Sequence, residues 1–130
     1  MHKQRKCFVI MPFKDKYNGI WENVIKPTVE NYGDTCKRAD DIFAPGSIIN
    51  DIIDHIHISD YIIADLTEKN PNVYYELGFT QALNKQVILI TQDIDSLPFD
   101  VKHQRVIIYS DTVAGAFTLQ NDIKKYLANI

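Results

Sequence analysis

Cysteine is scarce in this chain of 130 residues, which carries two, Cys7 and Cys36. Two cysteines make no disulfide framework, even on segments that can become neighbouring strands. Both are expected reduced and packed, as in the cytosol. No stretch approaches the roughly 18 consecutive apolar residues of a membrane-spanning helix, and no signal-peptide pattern precedes Cys7-Phe-Val-Ile-Met11. A soluble, cytoplasmic protein with no membrane partner is therefore expected. Positive charge is also short: 14 Lys and Arg stand against 17 Asp and Glu, a net charge of −3. That balance argues against a nucleic-acid polymer as partner, because such partners are met by a basic stripe. The basic His2-Lys-Gln-Arg-Lys6 reads as a solvated tail. The chain has no GxxxxGK[ST] and no GxGxxG phosphate loop, and its serines lack a nucleophile elbow. His55 and His57 have no cysteine or carboxylate partners at metal-ligand spacing, and His103 reads as a solvent-facing loop residue. No metal and no cofactor is expected.

What is present is an ordinary globular composition, 45% apolar and 24% charged. It predicts one domain over residues 1–130, large enough for a real core, with no linker, repeat or low-complexity segment. Strands and helices alternate. Cys7 to Pro12 is an apolar strand. Gly19 to Tyr32 is an amphipathic helix with Ile20, Trp21, Val24, Ile25 and Val29 at helical spacing, and Gly33 where it stops. Pro27 inside it predicts a kink or a first-turn break. Asp34 to Ala39 reads as a weak, polar edge strand. Pro45-Gly46-Ser47 launches a helix whose Ile48, Ile49, Ile52, Ile53 and Ile56 form one face. Tyr61 to Leu66 is a buried strand and Pro71 to Leu83 a helix. Gln86 to Thr91 and Arg105 to Tyr109 are strands, and Val113 to Leu127 is the last helix.

Such alternation means βαβ units with right-handed crossovers and a parallel sheet. Five strands in so short a chain fit a flavodoxin-like three-layer α/β sandwich, strand order 2-1-3-4-5. In that order the first and third strands are neighbours, and a crevice opens between their carboxyl ends, where ligands bind in open α/β sheets.

The most informative stretch runs from Ile62 to Gly78. An apolar run ends in Asp65, a polar loop follows, and a helix opens with Asn70 as N-cap and Pro71 at its first position. Glu76 lies in the second turn, four residues after Asn72 and on its face. Asp65 and Glu76 are thus expected to converge at the crevice. A carboxylate near a helix N-terminus is stabilised as an anion, and an ionised carboxylate is what covalent displacement at a sugar carbon requires. Glu76 either complements the helix dipole or serves as a nucleophile. Gly78, at a cost of roughly 1 kcal/mol mid-helix, suggests close approach of another backbone or a ligand. Asp65 either ends a strand or serves the site, binding a ribose hydroxyl or passing a proton to a leaving base. Asn70 reads as a cap and Asn72 as a substrate contact. The loop Arg38-Ala-Asp40-Asp41-Ile-Phe43-Ala-Pro-Gly46-Ser47 supplies a third wall. Asp40 is a candidate for ribose, and Arg38 for a phosphate or a neighbouring acid. Gly46 and Ser47 offer backbone N–H groups to an anion or simply cap the helix. Phe13, Tyr17 and Phe43 either sandwich a base or pack on the core.

Phe8-Val-Ile-Met-Pro-Phe13, Arg38-Ala-Asp40, Gly46-Ser-Ile48, Ile63-Ala-Asp-Leu-Thr67, Asn70-Pro-Asn-Val-Tyr-Tyr-Glu-Leu-Gly78, Ala82-Leu83 and Leu97-Pro-Phe-Asp100 together resemble the nucleoside 2-deoxyribosyltransferase-like superfamily. Its bacterial branch described as TIR-like or nucleotide-binding is the nearer match. The resemblance runs from about Cys7 to Tyr109 and is most specific in the Asn70–Gly78 block. It implies a flavodoxin-like fold and cleavage of an N-glycosidic bond through a glycosyl-enzyme intermediate. Glu76 would be the nucleophile, Asp65 a substrate-pocket acid, and a nucleoside or nucleotide the partner. It also implies a homodimer or larger homo-oligomer, since transferases of that family complete their pockets across subunits. TIR-type NAD hydrolases place a glutamate at an analogous point, so NAD is a further candidate substrate. The transferases commonly carry an acid six residues before the glutamate, where this chain has Asn70. An asparagine binds a hydroxyl or a base edge but donates no acidic proton. The alternative implied is a nucleotide-sensing module that binds without turnover.

Overall fold

The computed structural model describes residues 2–12, 14–39, 48–97 and 105–130. Five parallel strands form one sheet: β1 (Lys6–Ile10), β2 (Thr35–Arg38), β3 (Tyr61–Asp65), β4 (Gln86–Thr91) and β5 (Val106–Ile108). Their order is β2-β1-β3-β4-β5, the flavodoxin-like order expected from the alternation. Register places Cys7 beside Cys36 and Tyr61, and Ala64 between Ile10 and Leu89. The helices are α1 (Asp15–Ile20), α2 (Lys26–Tyr32), α3 (Ile48–Ile58), α4 (Pro71–Ala82) and α5 (Val113–Leu127).

The pleat divides the apolar residues of each strand between two layers. Cys7, Val9, Tyr61, Ile63, Ile88 and Ile90 pack with Trp21, Val24, Ile25, Leu119 and Ile123. This layer is covered by the segment from α1 through α2 and by α5. Phe8, Ile10, Ile62, Ala64 and Leu89 pack with Ile52, Ile56, Val73 and Leu77, under α3 and α4. Every residue of β3 is buried, as a central parallel strand between two helical layers must be.

The first helix starts earlier than expected, and it is interrupted ahead of Pro27, which stands in the first turn of α2 as the sequence predicts. It begins at Asp15, four residues before Gly19, and a π-helical turn, Trp21–Ile25, links α1 to α2. The Lys26 N–H bonds back five residues to the Trp21 carbonyl. Pro27 has no N–H to offer its preceding turn, and the chain absorbs the mismatch by widening the turn ahead of it. The helix ends at Gly33, whose φ of 109° is the left-handed conformation glycine tolerates.

The last helix is seated by a second glycine. Thr112 caps α5 by accepting the Gly115 N–H at 2.9 Å. A Cβ on Gly115 would stand 2.0 Å from the Ser110 carbonyl oxygen, so only glycine allows α5 to fold back this closely on the end of β5. Among the described residues no helix is long and apolar enough to cross a membrane.

Candidate active site

Asn70 starts α4 as expected. Its backbone is extended, its side-chain Oδ1 accepts the Asn72 N–H at 2.9 Å and the Val73 N–H at 3.3 Å, and Pro71 fills the first helical position without needing a partner. This cap fixes the helix so that Asn72, Tyr75, Glu76 and Phe79 face a cleft between α3 and α4. Ile49, Ile52, Ile53 and Ile56 form the opposite wall, and Met11 and Pro12, just past β1, close the end. The cleft holds about 190 Å³, less than the roughly 300–1,000 Å³ of most ligand sites.

Its lining is apolar except for Asn70, Asn72, Glu76 and the hydroxyl of Tyr75. Glu76 is accordingly half-desolvated, and burial pushes its carboxyl up to about 7. Removal of water is the whole cause of that rise, because burial disfavours the charged form. It is the one carboxylate among the described lining residues.

Asp65 does not join it. Tyr61, Ile63 and Asp65 alternate toward the α1, α2 and α5 layer, whereas Ile62, Ala64 and Leu66 face α3 and α4. The expected convergence of Asp65 with Glu76 is thus overturned by strand parity: the two side chains belong to opposite faces of the sheet. Asp65 is fully buried and accepts hydrogen bonds from the Tyr109 hydroxyl, the Thr67 hydroxyl and the Thr67 N–H. Gln92 completes the network, its side-chain amide donating to Tyr109 at 3.2 Å and its N–H to the Thr67 hydroxyl at 3.1 Å. Burial raises the Asp65 pKa, and the hydrogen bonds from Thr67 and Tyr109 work against that rise. The carboxylate ties the ends of β3, β4 and β5 together and fixes the loop leading to Asn70.

Arg38 is likewise turned away from the cleft. Its guanidinium lies 5.4 Å from the Trp21 ring centroid and donates to Asn18 Oδ1 at 3.2 Å, within the α1 and α2 layer. Gly78 meets nothing: a Cβ there would have no atom within 4 Å, so no other part of the described chain approaches it. Tyr17, placed with the loop aromatics by sequence, sits in α1 and is buried in the core. Phe13, Asp40, Phe43, Gly46, Ser47 and His103, with the Pro98–Asp100 part of the Leu97 loop, lie outside the described residues.

Sequence reading missed the network partners Thr67, Gln92 and Tyr109. Their signal was present only as polar residues at the carboxyl ends of three different strands. It also read the isoleucines of α3 as one face without saying whether that face meets the core or a cleft. Ile52 and Ile56 do reach the core, but Ile49 is 54% exposed at the cleft mouth.

No family model matches the chain, and no curated protein matches it in sequence. Similarity emerges at the level of solved structures. A CMP N-glycosidase from Clostridium botulinum superimposes with a TM-score of 0.74 at 18% identity, covering 94% of this chain and 99% of that one. The TIR domain of a Toll-related receptor from Hydra magnipapillata gives 0.71 at 17%, covering 92% and 95%. A 2-deoxyribosyltransferase from Leishmania mexicana gives 0.63 at 21%, covering 87% and 94%. At such identities the likeness is one of fold, and the chain thus carries the flavodoxin-like α/β fold shared by a nucleotide N-glycosidase, a deoxyribosyltransferase and a TIR domain.

Proposed function

We propose that this chain cleaves the N-glycosidic bond of a nucleoside or nucleotide, with Glu76 as nucleophile. The carrying observation is the single carboxylate facing an apolar cleft among the described lining residues, its pKa brought by burial to about 7. In the proposed step an ionised Glu76 oxygen attacks C1′, the C1′–N bond breaks, and its electron pair leaves with the base, which takes up a proton. The resulting glycosyl ester is resolved by water or by an acceptor base. The apolar walls receive the planar base, while Asn72 and the NH2 of the capping Asn70 supply hydrogen bonds to sugar or base. Phe13, Asp40, Gly46 and Ser47 belong to the same reading through the resemblance of their motifs. Asp65 enters it as a positioning residue for the Asn70 loop, and Arg38 as a support of the α1 and α2 layer. The likeness in fold to a CMP N-glycosidase and a 2-deoxyribosyltransferase supports this class of reaction.

A second reading, binding without turnover, is favoured by one observation: the described cleft offers no second carboxylate to protonate a leaving base. NAD cleavage is a variant of the first reading, supported by fold likeness to a TIR domain. Incubation with deoxynucleosides, nucleoside monophosphates and NAD, followed by chromatography for free base, separates them. Release of base that disappears in Glu76→Gln supports the enzyme. Saturable binding without release supports the sensor.

A further inference from the structure

Two lysines grip one glutamate where the chain leaves β1 and β3. Lys14 Nζ lies 2.9 Å from Glu68 Oε2, and Lys16 Nζ lies 2.8 Å from Glu68 Oε1. The lysines stand on the segment that leaves β1 directly after the cleft-lining Met11 and Pro12. Glu68 stands two residues before the cleft-lining Asn70. The cluster therefore bridges the carboxyl ends of β1 and β3, neighbours in the sheet although β2 and the helices α1, α2 and α3 intervene in sequence. In a sheet of this order that is the place for a ligand.

Two ammonium groups face the one carboxylate of Glu68, and Asp15 stands between the lysines in the chain. The lysine side chains are 57% and 62% exposed, while Glu68 is 23% exposed. Hydrogen bonds from Lys16 and then Lys14 hold the Glu68 carboxyl down to about 2, so it is an anion at any physiological pH. Close by is Tyr17, 2% exposed, with Lys16 Nζ 5.2 Å from its ring centroid. Burial raises the Tyr17 pKa, and the neighbouring Glu68 carboxylate raises it further.

We propose that Lys14 and Lys16 form the subsite for the phosphate of a nucleoside monophosphate whose base enters the cleft, and that Glu68 holds the phosphate's place in the free chain. The proposal rests on the reading of the cleft as a nucleoside or nucleotide site. The cleft is small and has no cation among its described lining residues, so a dianion has to be met outside it, and Lys14 and Glu68 each stand two residues from a lining residue. Ammonium groups on flexible stems bind phosphate as point charges. A phosphate carries more charge and more acceptor oxygens than the carboxylate it displaces, and exposed ion pairs such as these hold their partners weakly. The Tyr17 hydroxyl is an additional donor beside the same position.

The test compares ribo- and deoxyribonucleoside monophosphates with their parent nucleosides by calorimetric titration, for wild type, Lys14→Gln/Lys16→Gln and Glu68→Gln. Wild type is expected to bind at least one monophosphate more tightly than its nucleoside, with the difference shrinking as salt rises. The double lysine variant should lower the ratio of monophosphate to nucleoside affinity about tenfold or more, and Glu68→Gln should raise it. An unchanged ratio in both variants overturns the phosphate subsite, whatever happens to overall affinity, and leaves the cleft reading standing. Wild type binding neither class of compound overturns the cleft reading and the subsite with it. Thermal unfolding of each variant identifies any loss that reflects folding, in which case the Glu68→Gln ratio decides.

Discussion

The Tyr109 hydroxyl donates a hydrogen bond to Asp65 Oδ2, joining the carboxyl ends of β5 and β3 over the intervening β4. Neither group faces the cleft, yet the bond bears on it. Asp65 also accepts from Thr67, the second residue of the loop that delivers Asn70 and then Glu76. A buried carboxylate needs all of its donors, and removing one leaves a poorly solvated charge.

Tyr109→Phe should therefore destabilise the fold by about 1–3 kcal/mol, read as a lower denaturant midpoint with an unchanged slope. Affinity for ligand should change less than stability does. If Asp65 instead touches substrate, Asp65→Asn will reduce turnover at a substrate concentration well above KM while leaving the unfolding midpoint in place.

Glu76→Gln should abolish turnover by several orders of magnitude while ligand binding persists, because glutamine keeps the shape but cannot form the glycosyl ester. Base release at the wild-type rate would eliminate the covalent reading.

The pH dependence follows from the same carboxyl. Its folded pKa of about 7 lies above the ordinary carboxylate range, so the folded state binds more protons than the unfolded state between the two values. Stability contributed by protonated Glu76 is thus lost as pH rises from about 4.5 toward 7, and Glu76→Gln should exceed wild type in stability at pH 8 by on the order of 1 kcal/mol. Activity moves in the opposite direction. The ionised fraction grows through pH 7, and kcat/KM should climb with it and level off above about pH 8. A flat profile from pH 5 to 9 would count against ionised Glu76 as the reacting group.

Asp34 offers a contrasting case. Burial alone would raise its pKa, but hydrogen bonds from His2, Arg5 and Tyr61 outweigh burial and hold the carboxyl below its usual value. Its contribution to stability is present above the unfolded carboxylate pKa and lost as pH falls through the lower folded value. Asp34→Asn should flatten the acid limb of a stability-against-pH curve, most visibly below about pH 4.

Assembly is the remaining expectation to test. Tyr75 is 55% exposed beside the cleft mouth, and next to it the Gly78 face of α4 meets nothing. Tyr74 packs instead against the core that holds Leu97. We predict a homodimer or larger assembly with the start of α4 near the interface, closing the cleft against water. Light scattering should report at least twice the 15.0 kDa chain mass, and Tyr75→Glu should return the monomer. A mass of one chain in wild type, with and without nucleotide, would refute it.

The sequence by itself determined the sheet, its strand order and the helix that carries Glu76. Alternation of short apolar runs with amphipathic segments admits few topologies, and Asn70-Pro71 is a helix start whatever surrounds it. Handedness and connection rules even placed the ends of β1 and β3 side by side. Only the tertiary structure decided which side chains share a layer. In β3 the run Tyr61-Ile-Ile-Ala is apolar on both faces, so no polar alternation marks which residue meets which helices. A strand reverses direction of its side chains at every residue, and that one-residue parity sends Asp65 to Tyr109 and away from Glu76. The same layer assignment turns Arg38 onto Trp21. Half-burial of Glu76 arises from walls contributed by α3, α4 and the end of β1. A pKa near neutrality is a property of that enclosure, since a glutamate in the second turn of a solvated helix would have remained an ordinary carboxylate.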